Sequence, residues 1–273
     1  MPANSSSNTT RILGLLLSCV LLDGCATPPG PRDPRDPYEP LNRGIFRFND
    51  RLDRAVLRPT ATAYRAIAPQ FVRTSVSNVF SNVGDVRNVL NNTLQGKFTT
   101  AYSDFGRIVI NSSLGVLGLF DIASEAGIEK HNEDFGQTLG WWGVRDGPFV
   151  VLPLFGPSSG RDTMGWAVDI ATDPTTYVNP ASASYQISGG RLILRRAELL
   201  DAKQALDAAA LDSYVFTRDA YLQRRRNLVY DGKPPLDKDG LEAPAKRGEK
   251  SPQSGSVPAA TEPPPAGNEA KPR

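Results

Sequence analysis

Cysteine is nearly missing from this chain of 273 residues: there are two, Cys19 and Cys25, and both fall within or just behind the first apolar run. The body therefore has no thiol for a disulfide or a thiolate metal site. Histidine is scarcer still, His131 alone. Transition-metal sites gather several convergent His, Cys or carboxylate ligands, so no metal and no metalloenzyme are expected. Nor is there an excess of one charge, since Lys+Arg 31 against Asp+Glu 29 leaves +2. That is too little positive field to hold a phosphate backbone, and nucleic acid is not an expected partner. Strand-like alternation is almost absent, with Phe149, Val150, Val151 and Leu152 as the one short exception.

No apolar run is long enough to span a bilayer, which takes roughly 20 residues for about 30 Å of hydrocarbon. What stands at the N-terminus is Arg11 followed by a short apolar stretch over 12–22, the pattern of a signal peptide occupying 1–24. It ends in Leu22-Asp23-Gly24-Cys25, which resembles a bacterial lipobox, so the Cys25 thiol is the expected site of diacylglycerol attachment. Leu16-Leu17-Ser18-Cys19 fits the same pattern, but cleavage there would leave Val20, Leu21 and Leu22 on the mature end, and Cys25 is preferred. Each buried acyl CH₂ contributes about 0.8 kcal/mol, enough for a multiply acylated cysteine to hold a protein on a membrane. Ala26, with no Asp in its place, resembles lipoproteins sorted to the outer membrane.

Hydrophobic residues make up 40% of the chain despite its polar ends, so the middle has the apolar content to bury a core or face lipid. Residues 25–37 and 231–273 are rich in Pro and charge without periodicity and are expected to be tethers, leaving one domain over 38–230. Helical periodicity dominates there. Leu41, Ile45, Phe48, Leu52 and Val56 share a stripe that Arg58-Pro59 is expected to break. Further helices are expected over 60–68, over a stretch carrying Phe71 to Leu94, and over 98–111, 161–172, 191–209 and 213–229. The fold class is all-α, a single domain of amphipathic helices around an irregular Gly, Pro and aromatic-rich segment at 131–160.

Several features admit two readings. Residues 114–122, apolar all round and loosened by glycine, suit either lipid contact or a closely packed core helix. Trp141 and Trp142 suit a membrane interface or an aromatic core. Gly156-Pro157-Ser158-Ser159-Gly160 matches G-x-S-x-G, the motif of an esterase nucleophile at Ser158, but Pro157 precedes the serine, no parallel sheet surrounds it, and His131 lies upstream. The same glycines lack the Lys-Ser/Thr pair of a phosphate-cradling loop, since Arg161-Asp162 follows them. Arg224, Arg225 and Arg226 could meet anionic headgroups, though complementing the negative end of the last helix needs fewer assumptions.

Tyr38-Glu39-Pro40-Leu41-Asn42-Arg43 and Phe46-Arg47-Phe48-Asn49 resemble the opening of the MlaA (VacJ) lipoproteins. The central block resembles that family more closely still. It comprises Asp134-Phe135-Gly136-Gln137-Thr138-Leu139-Gly140, Trp142-Gly143-Val144, Gly147-Pro148-Phe149, Leu152-Pro153, Gly156-Pro157-Ser158 and Arg161-Asp162. Ala197-Glu198-Leu199-Leu200-Asp201 and Arg218-Asp219-Ala220-Tyr221 with Gln223-Arg224 match its C-terminal helices, so the similarity spans 38–230. Arg145-Asp146 departs from the family pattern.

The resemblance implies a ring of helices in the inner leaflet of the outer membrane, on its periplasmic side, with a polar channel through it. Phospholipid strayed into the outer leaflet would pass through and be handed to a soluble periplasmic carrier, with a trimeric porin as a further partner. It implies no catalytic residue and no cofactor beyond the acyl chains on Cys25. Asn42, Asn49, Asp50, Asp104, Arg107 and Asn111 interrupt otherwise apolar helices and are candidates to line the path, the alternative being plain solvated faces. A headgroup entering hydrocarbon unsatisfied would meet a desolvation penalty of several kcal/mol, which is why a path must be polar inside. A porin-bracing structural lipoprotein is the other reading.

Overall fold

The computed structural model describes residues 33–235; the signal segment, Cys19, the expected lipidation site Cys25 and the tail from 236 onward lie outside the described residues. Helix α1, Glu39–Leu52, opens with Glu39 and Pro40 in its first turn, where a carboxylate faces the positive helix end and a missing N–H costs nothing. Arg58-Pro59 does not break it as expected. The backbone passes through a π turn, Asp53–Leu57, directly into α2, Arg58–Ile67. The Arg58 N–H reaches back to the Asp53 carbonyl, and the widened turn makes room for the Pro59 ring that a regular turn would drive against a carbonyl.

Helices α3, Gln70–Leu94, and α4, Phe98–Ser113, follow, separated by Gly96 at φ +76°. They run antiparallel: Asn92 meets Asp104 near the turn and Asn82 meets Ser112 toward the far end. Residues 114–122 do not form a core helix. Val116 and Leu117 take φ of 52° and 57°, and the chain turns with Leu117 76% exposed before the short α5, Ile122–Glu125.

The central segment is more regular than its composition suggests. Asp134 caps a helix α6, Phe135–Trp141, by accepting the Gln137 N–H. Strand β1, Phe149–Leu152, was legible, but its antiparallel partner β2, Gly156–Ser159, was not; Phe149 pairs with Ser159 and Leu152 with Gly156. Ser159 then caps α7, Gly160–Thr172. After a 3₁₀ turn, Pro174–Tyr177, the helix expected over 191–209 is instead two, α8 Ala181–Glu198 and α9 Leu200–Ala209. Packing of α8 against α2, α3 and α9 carries it through Gly189 and Gly190, each worth about 1 kcal/mol against a helix. Helix α10, Ser213–Val229, closes the domain.

The packing partners form a closed circuit. Helix α1 lies on β1, the hairpin on α7 and α10, α7 on the 3₁₀ turn, that turn on α8, and α8 on α2, which the π turn joins back to α1. An apolar core of Ile45, Phe149, Val151 and Tyr214 sits where α1, β1 and α10 meet, with Phe46 edge-on to Tyr214 at 5.6 Å. The expected linker ends earlier than residue 37: Asp36 is fully buried, accepting from Asn42 and Tyr214, and the Phe149 N–H donates to the Arg35 carbonyl.

Candidate functional site

The α3–α4 pair is built inside out. Its buried positions are Asn82, Asp85, Asn88, Asn91 and Asn92 on α3, and Ala101, Asp104, Arg107 and Asn111 on α4. Its outer surface presents Val86, Leu90 and Leu94 on α3 and Phe98, Tyr102, Phe105 and Val109 on α4, between 37% and 79% exposed. In water the hydrophobic effect demands the opposite arrangement. Among the described residues, no helix is long and apolar enough to cross a membrane.

Burying this many polar groups is tolerable because most of them pair with one another, although Asn82 Oδ1 and Asn92 Oδ1 accept no hydrogen bond among the described residues. The fully buried Arg107 donates both to the Asp121 carboxylate, at 2.9 and 3.0 Å, and to the Ile128 carbonyl at 2.6 Å. Lys130 Nζ lies 2.8 Å from Asp85. Asn111 donates to Asp121 and accepts the Ala123 N–H, each at 2.9 Å. Asp104 receives Asn92 at 2.8 Å and faces His131 Nδ1 at 2.9 Å, so His131 is engaged rather than the simple exposed loop residue its position suggested. Burial pushes Asp121 upward, but hydrogen bonds from Ser124 and Asn111 and the charge of Arg107 outweigh it and leave the carboxyl at about 2.

A second cluster joins the central segment to α10. Arg225 donates to Asp134 at 2.5 and 2.9 Å and to Asp162 at 2.8 Å. Arg225 is therefore a buried structural cation, and neither a headgroup contact nor a dipole complement accounts for it. Burial raises Asp134, yet the hydrogen bonds and charge of Arg225 prevail and hold it at about 2. Asp169, which accepts the Phe135 N–H at 3.1 Å, goes the other way: burial, aided by the charge of Asp134, lifts it to about 6. Arg161 pairs with Asp146 and Asp162, so the departure at Arg145-Asp146 supplies a carboxylate for the motif arginine.

The third feature is a cavity of about 340 Å³. Phe46, Asp50, Asp53, Arg54 and Arg58 line one wall, from α1, the π turn and α2, and Arg196, Lys203 and Ser213 line the other, from α8, α9 and α10.

The candidate residues thus divide. Asp50 lines the cavity. Asp104, Arg107 and Asn111 lie in the polar interior of the α3–α4 pair, not on solvated faces. Asn42 and Asn49 clamp the hairpin to α1: Asn42 donates to the Phe149 carbonyl at 3.0 Å and accepts the Val151 N–H at 2.9 Å, while Asn49 does the same for Leu152 and Leu154 at 2.9 and 2.8 Å. Phe135, Gly136, Gln137 and Gly140 build α6, and Trp142 and Gly143 end it. Gly147 and Pro148 lead into β1, Pro153 and Gly156 flank the hairpin turn, and Arg161 and Asp162 open α7. Trp142 is 44% exposed with its Nε1–H on the Leu94 carbonyl, and Lys97 lies over the Trp141 ring. Ser158 sits within the antiparallel hairpin opposite Val150, its hydroxyl 3.0 Å from Thr163 Oγ1, not at a strand-to-helix elbow of a parallel sheet.

Asp85, the asparagines of α3, Asp121 and Asp134 were missed as buried groups. A signal existed in α3: Asn82, Asp85, Asn88, Asn91 and Gln95 recur at helical spacing, and asparagine is a weak helix former whose repetition inside a helix calls for a use.

Comparison with known proteins bears on this architecture. The family model described as MlaA lipoprotein matches residues 34–228. The intermembrane phospholipid transport system lipoprotein MlaA of Escherichia coli is 33% identical over 233 residues, 81% of this chain and 90% of that protein. Its Haemophilus influenzae namesake is 31% identical over 248 residues, 85% of this chain and 96% of that protein. An uncharacterised protein of Rickettsia typhi is 34% identical over 193 residues, 70% of this chain and 77% of that protein. A solved chain from work on the structural basis for maintenance of bacterial outer membrane lipid asymmetry aligns with TM-score 0.64 at 34% identity, covering 72% of this chain and 100% of that one. This chain belongs to the MlaA lipoprotein family.

Proposed function

We propose that this protein is an outer-membrane lipoprotein that carries mislocalised phospholipid out of the outer leaflet and so maintains lipid asymmetry. The observation that carries this reading is the inside-out α3–α4 pair: apolar side chains outward and a paired polar interior make a surface stable in hydrocarbon and costly in water. The exposed apolar turn at 114–120 extends that surface. Immersion in the inner leaflet, facing the periplasm, suits helices that do not span. The acyl anchor on Cys25 would add to the attachment. The polar cavity would take the headgroup, a soluble periplasmic carrier would receive the lipid, and a trimeric porin would hold the ring in place. No covalent step is required of the protein.

The test is phospholipid exposure on the surface of the source bacterium. Deletion should raise it, and both the wild-type gene and a Ser158→Ala copy should restore it. Restoration by wild type alone would return the esterase to contention, and a deletion with no effect would favour a bracing role.

A further inference from the structure

Helix α8 changes character in its middle. Its buried residues, Leu194 and Ala197, both follow the adjacent pair Gly189 and Gly190, and none precedes it. The lack of cover runs further back along the chain. Every residue from Ile170, in the last turn of α7, through the 3₁₀ turn to Ile193 is exposed or only partly buried. Ile170, Tyr177, Tyr185 and Leu192 along this span are between 41% and 77% exposed. The span lies between two fixed points, Asp169, which accepts the Phe135 N–H at 3.1 Å, and the buried Leu194. A segment that places no side chain in the core can move without unpacking the core.

Short-range hydrogen bonds make this wall one piece. Thr176 Oγ1 donates to the Ile170 carbonyl at 2.9 Å, Tyr177 Oη to the Ala171 carbonyl at 2.5 Å, and Ser184 Oγ to the Thr175 carbonyl at 2.9 Å. The glycines at its end have no local structural need. A β-carbon on either would meet nothing within 4 Å, and neither takes a positive φ. Close packing and backbone shape therefore do not call for glycine, whereas the loss of two side chains in succession makes a helix easiest to bend. Arg191, the next residue, reaches across the joint. Its guanidinium lies 5.1 Å from the Phe80 ring of α3, on the anchored side, and donates to Asp173 on the wall at 2.6 Å. Both side chains of that ion pair are partly exposed, 35% and 25%, so breaking it costs little.

We propose that residues Ile170 to Ser188 are the movable side of the helical circuit, hinged at Gly189 and Gly190 and latched by Arg191 on Asp173, and that their swing lets the acyl chains of a phospholipid through while its headgroup stays inside. The proposal rests on the transport reading and adds the place where the circuit opens. A circuit that stayed shut would force the tails out of hydrocarbon and past charged groups, and a side that opens leaves them in hydrocarbon throughout.

Hydrogen exchange and the unfolding midpoint are measured on the purified full-length lipoprotein in non-ionic detergent, as wild type, the double variant Gly189→Ala with Gly190→Ala, and Arg191→Gln. Surface phospholipid is measured in a deletion strain complemented by the wild type and by the double variant. In the wild type the amides of 185–188 should exchange about tenfold faster than those of 194–198 in the same helix. Arg191→Gln should widen that ratio by releasing the latch. The double variant should narrow it and keep or raise the midpoint, because both β-carbons enter open space and alanine is the better helix former. It should nevertheless fail to lower surface phospholipid. Equal exchange on the two sides of the glycines, or full complementation by the double variant, overturns the proposal. A lowered midpoint in the double variant also overturns it, by giving the glycines a packing role. If deletion raises surface phospholipid and any of those results is found, the transport reading stands and only this proposal falls; if deletion raises nothing, the transport reading itself fails and the acyl-chain role with it.

Discussion

Gly165 of α7 crosses Gly136 of α6 so closely that a β-carbon on Gly165 would lie 2.3 Å from the Gly136 backbone nitrogen. The obstacle is backbone, which cannot swing aside as a side chain can. Gly165→Ala should therefore destabilise the fold by about 3 kcal/mol or more, in the upper range for overpacking. A thermal unfolding midpoint within a degree of wild type would show that the two helices can separate at little cost. Gly44, where a β-carbon meets nothing within 4 Å, is the control: Gly44→Ala should leave the midpoint level or raise it.

Arg225 bridges two carboxylates, Asp134 and Asp162, of which Arg161 shares only Asp162. Arg225→Met fills a similar volume but leaves Asp134 and Asp162 facing each other, and should cost about 3–5 kcal/mol. Denaturant unfolding of the purified protein measures this. Adding Asp134→Asn and Asp162→Asn should recover much of the loss, because the penalty belongs to the stranded charges; failure of the triple variant to recover would assign the arginine a packing role instead.

Asp169 and Asp134 give the stability opposite pH slopes in separate windows. The folded-state pKa of Asp169 is raised from 3.8 to about 6, so its contribution is fully present below 3.8 and is lost as pH climbs through about 6. Asp134 is lowered to about 2, so its contribution is present above 3.8 and lost as pH falls through about 2. Asp169→Asn keeps an acceptor for the Phe135 N–H and cannot ionise. Relative to wild type it should gain stability progressively between pH 4 and 6.5 and hold that gain at pH 7.5, read as the difference in unfolding midpoint. A constant difference across that range would mean that Asp169 does not titrate there.

The outer face of α4 should matter to membranes and not to folding. Replacing Phe98 and Phe105 by Ser, in a background with Cys19→Ser and Cys25→Ser so that neither candidate cysteine can carry an acyl chain, removes apolar surface that is 69% and 53% exposed. Each side chain is worth about 1.5–3 kcal/mol on full transfer from water to hydrocarbon, so binding to phospholipid vesicles should weaken at least tenfold while helicity and the unfolding midpoint hold. Unchanged vesicle flotation would place the lipid-facing surface elsewhere.

Much of this was legible one residue at a time. Helices α1, α3, α4 and α10 stand close to where helical periodicity placed them, and the strand at Phe149–Leu152 where the one strand-like stretch lay. Pro59 misled because its effect depends on the local turn: a π turn lets the helix continue where an α turn would not. Helix α6 was hidden by its glycines, whose poor helix propensity is overridden by the close approach of α7 and Arg225 that only glycine permits at Gly136.

Periodicity states that two kinds of residue occupy opposite faces of α3 and α4, and that much the sequence by itself determines. It also determines that the chain is helical, that its body has no cysteine chemistry, and that its motifs are those of the MlaA lipoproteins. Which face turns inward was decided by tertiary structure alone. A stripe of asparagines and aspartates is a solvated face until Arg107 and Lys130 are brought against it and His131 is set on Asp104. Those partners stand up to 45 residues away along the chain, and only folding makes their charges meet.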